Sequence, residues 1–366
     1  MISKFKYVSL SVFAILVASL IAGCSTPPTR GAGYRSSGSG ASPSTYSSSI
    51  ASFSTVSWQA LPGWQEDDLS QAWPAWLKSC DALRKKSSEV NWRQVCAQAS
   101  NVSGRDTQAV RKYFESNFQV YEIRTSSGND TGLITGYYEP VMNGSLTRTS
   151  TYNVPLYSYP SAWRKSKPNP GPTRAELMSS GVLNGSEIAW VQDPVAAASM
   201  QIQGSGQLTF PDGKTMKALY AGANGQTFVP ISRPMREKGL LDPSHTSGDA
   251  IRAWLADHRG SEADRVMALN PRYVFFRLVP DDGLPPLGAA GLPLPAGRAI
   301  AIDPAQHTYG DVYWVEAAEP FLFGAHPVYD RLVTALDTGG AIKGQIRADL
   351  YIGQGPDAGQ EAGRIR

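Results

Sequence analysis

Two aspartates near the C-terminus, Asp337 and Asp349, have residue types and spacing that suit proton-transfer chemistry. They lie in the run ALDTGGAIKGQIRADLYIGQG, residues 335–355, which is too rich in glycine and apolar residues to be a solvated charged face. Leu336 and Ala341-Ile342 stand near the first acid, Ala348 and Leu350 beside the second. Apolar surroundings disfavour the ionised form, so a carboxyl there keeps its proton toward neutral pH, as a general acid must. Gly339-Gly340 and Gly344 permit positive φ and close backbone approach. The same residues also fit a second reading, a buried structural aspartate that caps a loop.

The elements around these acids begin with an export signal. Lys4 and Lys6 lead into an apolar run, residues 7–21, that ends in Leu20-Ile21-Ala22-Gly23-Cys24. Such a pattern is a secretory signal, too short to span a bilayer comfortably. The last residues resemble the lipobox of bacterial lipoproteins, which implies cleavage after residue 23 and acylation of Cys24. Ser25 resembles the outer-membrane address. The expected location is therefore the periplasmic face of the outer membrane, held by acyl chains rather than a spanning helix.

The net charge of +3 and the lack of a basic stripe exclude nucleic acid as a partner class. No Cys/His spacing suits zinc and there is no HExxH, so neither metal nor cofactor is expected. Nine Trp and sixteen Tyr beside only four His fit aromatic sugar platforms, or simply core. Cys80 and Cys96, in an oxidising compartment and flanking a polar turn between helical segments, predict a disulfide. Closing a loop of about 15 residues contributes about 3 kcal/mol in the chain-entropy model.

Composition divides the rest. Residues 24–57 are rich in Ser, Gly and Pro and read as a flexible tether. Over 58–118 apolar residues recur at helical spacing: Leu69, Ala72, Trp73, Trp76 and Leu77, then Val110, Tyr113 and Phe114. Residues 132–140 read as a strand that Pro140 limits. Short β-like runs follow, including 188–191, 200–203 and 226–229, interrupted by one helix over 248–258. A strand over 272–278 precedes a Pro/Gly-rich crossing, 280–297, and strands then resume to the C-terminus.

The segments GYYEP, QIQGSG, YAGANG, NPRYVFFR, AIDP and ALDTGGAIKGQ…ADLYIGQG occur in an order that resembles the membrane-bound lytic murein transglycosylase A family, across about residues 61–366. The C-terminal part resembles that family's three-aspartate domain, with Asp303, Asp337 and Asp349 as the acids. The resemblance implies a mainly β fold with some α. A double-psi β-barrel would form from 58–140, with its N-terminal helical region, together with 281–366. A smaller β-domain, 141–280, would be inserted, and a glycan strand would lie in the groove between them. The implied reaction is non-hydrolytic cleavage between N-acetylmuramic acid and N-acetylglucosamine of peptidoglycan, leaving a 1,6-anhydro end. Asp349 would be the acid/base and Asp337 a positioning group. Thr135 would stand beside the cleaved bond, and Gly136, Tyr137, Tyr138, Gln203, Ser205, Asn224 and Asp303 would contact substrate. Peptidoglycan strands are the implied partner, and wall-remodelling proteins are candidate protein partners.

Two departures accompany the resemblance. The family's YAGxNGxxYxxIGxxL becomes YAGANGQTFVPISRPM, with Ser232 where glycine is common, which predicts a reshaped wall of the inserted domain. Relatives also usually carry a further apolar strand beyond the position of Arg366, which predicts an open barrel edge. Two rival readings remain at this level: a muramidase using Asp337 and Asp349 together, and a non-catalytic, expansin-like wall binder. The lipobox gives a first prediction. Cys24→Ala should abolish palmitate labelling and release the protein from the membrane fraction. Unlabelled parent protein with unchanged fractionation would contradict it.

Overall fold

The computed structural model describes residues 5–12, 50–86, 90–245, 248–317 and 329–365. Its strands are β1 (Phe5–Val12), β2 (Ile50–Val56), β3 (Phe118–Thr125), β4 (Leu133–Glu139), β5 (Val141–Ser145), β6 (Val154–Tyr157) and β7 (Glu187–Val191). They continue as β8 (Gly206–Thr209), β9 (Thr215–Ala223), β10 (Val274–Pro280), β11 (Ala299–Ile302), β12 (Val312–Ala317), β13 (Tyr329–Thr338) and β14 (Arg347–Gln354). Among the described residues one sheet runs β2-β3-β1-β12-β13-β11-β14-β4 and a second runs β10-β9-β8-β5-β7-β6. The second sheet comes wholly from the chain between Val141 and Pro280, and Pro140 alone joins it to β4. Cys24 and residues 13–49 lie outside the described residues. Phe5–Val12, inside the segment read as the export signal, pairs between β3 and β12. Cleavage before Cys24 would remove that strand and leave those two edges unpaired.

The first sheet is buried on both faces because its strands alternate two apolar sets. Val312, Trp314 and Leu332 point to one side, where they meet Trp64, Trp73, Trp76 and Phe114. Tyr313, Val315 and Val333 point to the other, against Ile134, Ile300 and Leu350. The helices on the first face are α1 (Trp73–Lys86), α2 (Val90–Ala99) and α3 (Thr107–Asn117). In α3, Asp106 accepts from the amides of Gln108 at 2.9 Å and Ala109 at 3.2 Å, satisfying two of the unpaired first-turn donors. Val110, Tyr113 and Phe114 then fall on one helix face. Cys80 of α1 and Cys96 of α2 are joined by a disulfide with Cα atoms 5.4 Å apart.

Five expectations change. Residues 226–229 form no strand, and the helix Gly248–Asp257 is one of six among the described residues between Val141 and Pro280. Ile50–Val56, read as the end of the tether, pairs with β3, and Val56 packs against the helical core. Residues 200–203 are not a strand but the last turn of the helix Pro194–Gln203. The signals for that helix are Asp193 accepting from the Val195 amide, Pro194 at the first helical position, and Gly204 in the left-handed region at φ 91°. Ser232 opens the helix Ser232–Glu237, an ordinary helical position with no need of glycine.

One buried ion pair clamps the N-terminal segment to the sheet. Arg298, just before β11, donates from Nη1 to Asp67 Oδ2 at 2.8 Å and from Nη2 to Asp67 Oδ1 at 2.6 Å. Asp67 Oδ2 also accepts from the Leu332 amide, and Arg298 donates to the carbonyls of Asp68 and Leu332. Removing one partner of a fully buried pair leaves an uncompensated charge. Arg298→Met should therefore cost about 3–5 kcal/mol in urea unfolding. Arg298→Met combined with Asp67→Leu should cost less than Arg298→Met alone. A single variant as stable as the parent would contradict this.

Candidate active site

Register, rather than proximity in sequence, brings the acids together. Parallel pairing sets Ala301 of β11 against Asp337 of β13, and antiparallel pairing sets Ala301 against Asp349 of β14. Parallel pairing then sets Asp349 against Thr135 of β4. Asp337, Ala301, Asp349 and Thr135 thus form one row across four neighbouring strands. A register shift between Ile300 and Ala301 is required, because Ile300 faces Ala335 while Ala301 faces Asp337. The extra residue, Leu336, re-aims Asp337, since one residue of slip moves a side chain to the other face. Ala301 keeps the space between the two carboxyls open.

Asp349 and Asp337 lie at the floor of a cleft of about 660 Å³ between the two sheets. Burial pushes Asp349 up to about 6, against the opposing influence of Arg347 and the Thr135 hydroxyl, while the Asp337 charge adds a smaller upward push. Thr135 Oγ1 accepts from Arg347 Nη2 at 2.8 Å and donates to Asp349 Oδ1 at 2.7 Å. The Arg347 donation fixes the direction of the threonine proton toward the aspartate. Asp349 Oδ2 has no protein partner among the described residues. The carboxyl therefore has one anchored oxygen and one free to carry a proton.

Asp337 is held differently. Its Oδ2 accepts from the Tyr137 hydroxyl at 2.8 Å and its Oδ1 from the Ala289 amide at 2.9 Å. Burial raises its pKa, and these two donors partly offset that. The Ala289 amide reaches it because Gly288 packs on β13, where a Cβ would stand 2.3 Å from the Leu336 carbonyl oxygen. The Pro/Gly-rich crossing thus serves as a strap over the end of β13.

The other expected contacts divide. Tyr137, Tyr138, Gln203 and Ser205 line the cleft, and Gln203 Oε1 accepts from the Tyr138 amide at 3.0 Å. Gly136 does not face the cleft: a Cβ there would stand 2.9 Å from Ala362 of the helix Gly355–Arg364, so glycine lets that helix close on β4. Asn224 is 1 % exposed and is spent on backbone, donating to the carbonyls of Pro172 and Pro271 and accepting from the amides of Gln226 and Tyr273. Asp303 ties loops together. It accepts from the amides of Gly344 and Ala305 and from Lys343 Nζ. Burial pushes Asp303 upward, but those donors outweigh it and hold the carboxyl below the usual range.

Several cleft residues escaped the sequence reading. Among the described residues no tryptophan lines the cleft; its aromatic surface is tyrosine and phenylalanine, including exposed Tyr220 and half-buried Phe228. Arg347 stands two residues before Asp349 on one strand, and period-two alternation alone would have placed it on the same face. Arg272 and Arg277 also line the wall formed by the inserted sheet.

Comparison with known proteins identifies the family. The "MltA specific insert domain" family model matches residues 133–277 and the "3D domain" model matches residues 298–366. The membrane-bound lytic murein transglycosylase A of Vibrio cholerae is 32 % identical over 260 residues, 69 % of this chain and 68 % of that one. A membrane-bound lytic murein transglycosylase structure from Agrobacterium tumefaciens is 32 % identical, covers 86 % of this chain and 95 % of its own, and superposes with a TM-score of 0.75. A structure of the Escherichia coli protein with bound chitohexaose is 26 % identical, covers 80 % and 87 %, and has a TM-score of 0.64. The chain belongs to the membrane-bound lytic murein transglycosylase A family.

The state of Asp349 can be tested without substrate. Its folded value, about 6, exceeds the reference 3.8, so its protonation contributes stability that is full below 3.8 and lost as pH rises through 6. Asp349→Asn lacks that dependence. The variant should melt near the parent at about pH 4 and above it at about pH 8. A gap that is absent or reversed at the higher pH would contradict a carboxylate whose charge burial disfavours.

Proposed function

We propose that this chain is a murein lytic transglycosylase, cleaving the β-1,4 bond between N-acetylmuramic acid and N-acetylglucosamine and leaving a 1,6-anhydro-muramic acid end. The observation that carries this reading is the Asp349 carboxyl, pushed up to about 6 by burial, with one unengaged oxygen in an open cleft. Its proton passes to the glycosidic oxygen, the C1–O bond breaks with its electron pair on the leaving sugar, and C1 becomes oxocarbenium-like. The Asp349 carboxylate then takes the proton of the C6 hydroxyl as that oxygen bonds to C1. The carboxyl is restored in one turnover, with no water consumed. Attack from within the same ring gains from the high effective concentration of a positioned group.

Asp337 is the positioning group in this scheme. Both of its oxygens are already engaged, by Tyr137 and Ala289, which weighs against the two-carboxylate muramidase reading. Thr135 orients Asp349, while Tyr138, Gln203 and Ser205 contact glycan. The residues 58–140 and 281–366 act as the double-psi barrel with its N-terminal helical region, and 141–280 as the inserted second wall. Relatives named as membrane-bound support membrane association; acylation at Cys24 on the periplasmic face of the outer membrane is the form proposed for it.

Asp349→Asn keeps the shape of the side chain and cannot move a proton in either step. Release of anhydro-muropeptides from sacculi should fall by roughly 10²–10⁴-fold while sacculus binding persists. Asp337→Asn should alter kcat and KM together. Because the acid form starts each turnover, the parent rate should fall as pH rises past about 6. Near-parental release by Asp349→Asn would overturn the assignment.

A further inference from the structure

The wall of the cleft carries positive charge that the chain does not neutralise. Arg272 precedes β10, is half-buried, and places its guanidinium beside Gly340 in the loop after Asp337. A Cβ on Gly340 would stand 3.3 Å from the guanidinium carbon. Among the described residues no hydrogen bond or ion pair engages that guanidinium. Arg277, exposed on β10, lines the same cleft and is likewise unengaged among the described residues. Lys343, a third cation there, differs, since it pairs with Asp303 at 3.3 Å.

The backbone that presents Arg272 is held from several sides. Its amide donates to Asn270 Oδ1 at 3.2 Å and its carbonyl accepts from Arg174 Nη2 at 3.0 Å. On either side, Asn224 donates to the Pro271 carbonyl at 2.8 Å and accepts from the Tyr273 amide at 2.9 Å. Asn224, Asn270 and Arg174 are all buried, and Arg174 also lies over the Tyr273 ring at 4.9 Å. Three buried polar side chains therefore fix one residue whose own charge is left open to the cleft. A cation so fixed, with no internal partner, is arranged for an anion brought by the ligand, and the planar guanidinium fork matches a carboxylate.

A neutral N-acetylglucosamine polymer brings no anion. Murein does, in the lactyl carboxyl of each muramic acid whose peptide has been removed and in the acidic residues of each stem that remains. We propose that Arg272, with Arg277 on the same wall, forms a carboxylate subsite that selects murein strands over neutral chitin-type strands. This subsite rests on the murein reading above and deepens it.

The test uses the full chain carrying Asp349→Asn, so that ligands survive, with and without Arg272→Met. The ligands are chitohexaose, glycan strands stripped of peptide by an amidase, and peptide-bearing strands. Arg272→Met should weaken binding of a carboxylate-bearing strand about tenfold or more and flatten its salt dependence, with a much smaller change for chitohexaose. Arg272→Lys should recover part of the loss, since it restores charge without the fork. Loss confined to stripped strands assigns the lactyl carboxylate, and loss confined to peptide-bearing strands assigns the stem. Equal loss on neutral and anionic ligands, or no loss, overturns the subsite. Parent protein that binds strands with this selectivity but releases no anhydro ends would overturn the catalytic reading and leave the subsite standing.

Discussion

Everything in the site depends on keeping one carboxyl, that of Asp349, in surroundings that disfavour its charge. Burial raises its pKa to about 6, while Arg347 and Thr135 pull the other way. An ammonium or guanidinium paired directly with the carboxylate would hold it ionised and remove its proton. The arrangement avoids that by inserting the Thr135 hydroxyl between Arg347 and Asp349. The threonine takes the arginine's hydrogen bond and passes on a neutral donor, so the acid is oriented without being directly ion-paired at that contact.

The fold serves this constraint through register. Asp337 and Asp349 stand on either side of a strand that offers only Ala301 between them, and a one-residue irregularity opposite Ala301 turns Asp337 toward the cleft. The sheet can hold such a row because it is packed on both faces, by the tryptophan-rich helical segment on one and by the inner apolar set on the other. The Asp67–Arg298 pair joins that helical segment to the start of β11. The inserted sheet supplies the opposite wall, and Arg272 and Arg277 stand on it.

Much of this was legible in sequence, for physical reasons. The acids announced themselves because charged residues rarely sit among Leu, Ile and Ala without cause. The helices before β3 are readable from period 3.6, and β10 ends at Pro280, where the Pro/Gly-rich stretch begins. Other features could not be read. Asn224 and Gln203 both sit near glycine-rich turns, yet one spends every polar atom on backbone and the other faces the cleft. Residue types do not say which carbonyl an amide will meet. Asp303 looks like its two fellow acids, but the Gly344 amide of a distant loop and the Ala305 amide of its own loop claim it. Gly136 looked like part of a substrate loop and serves helix packing. Residues 200–203 alternate like a strand, and the capping residues Asp193 and Gly204 outweighed that pattern.

The central claim is that one carboxyl both gives and recovers the proton, and that water takes no part. Digestion of sacculi in water labelled with the heavy isotope of oxygen, followed by mass spectrometry of the released muropeptides, tests it most directly. The account predicts muramic acid ends in the anhydro form that carry none of the label, because the new bond to C1 is made by the sugar's own C6 oxygen. Reducing muramic acid ends carrying one labelled oxygen would show that water attacks C1, and would contradict it.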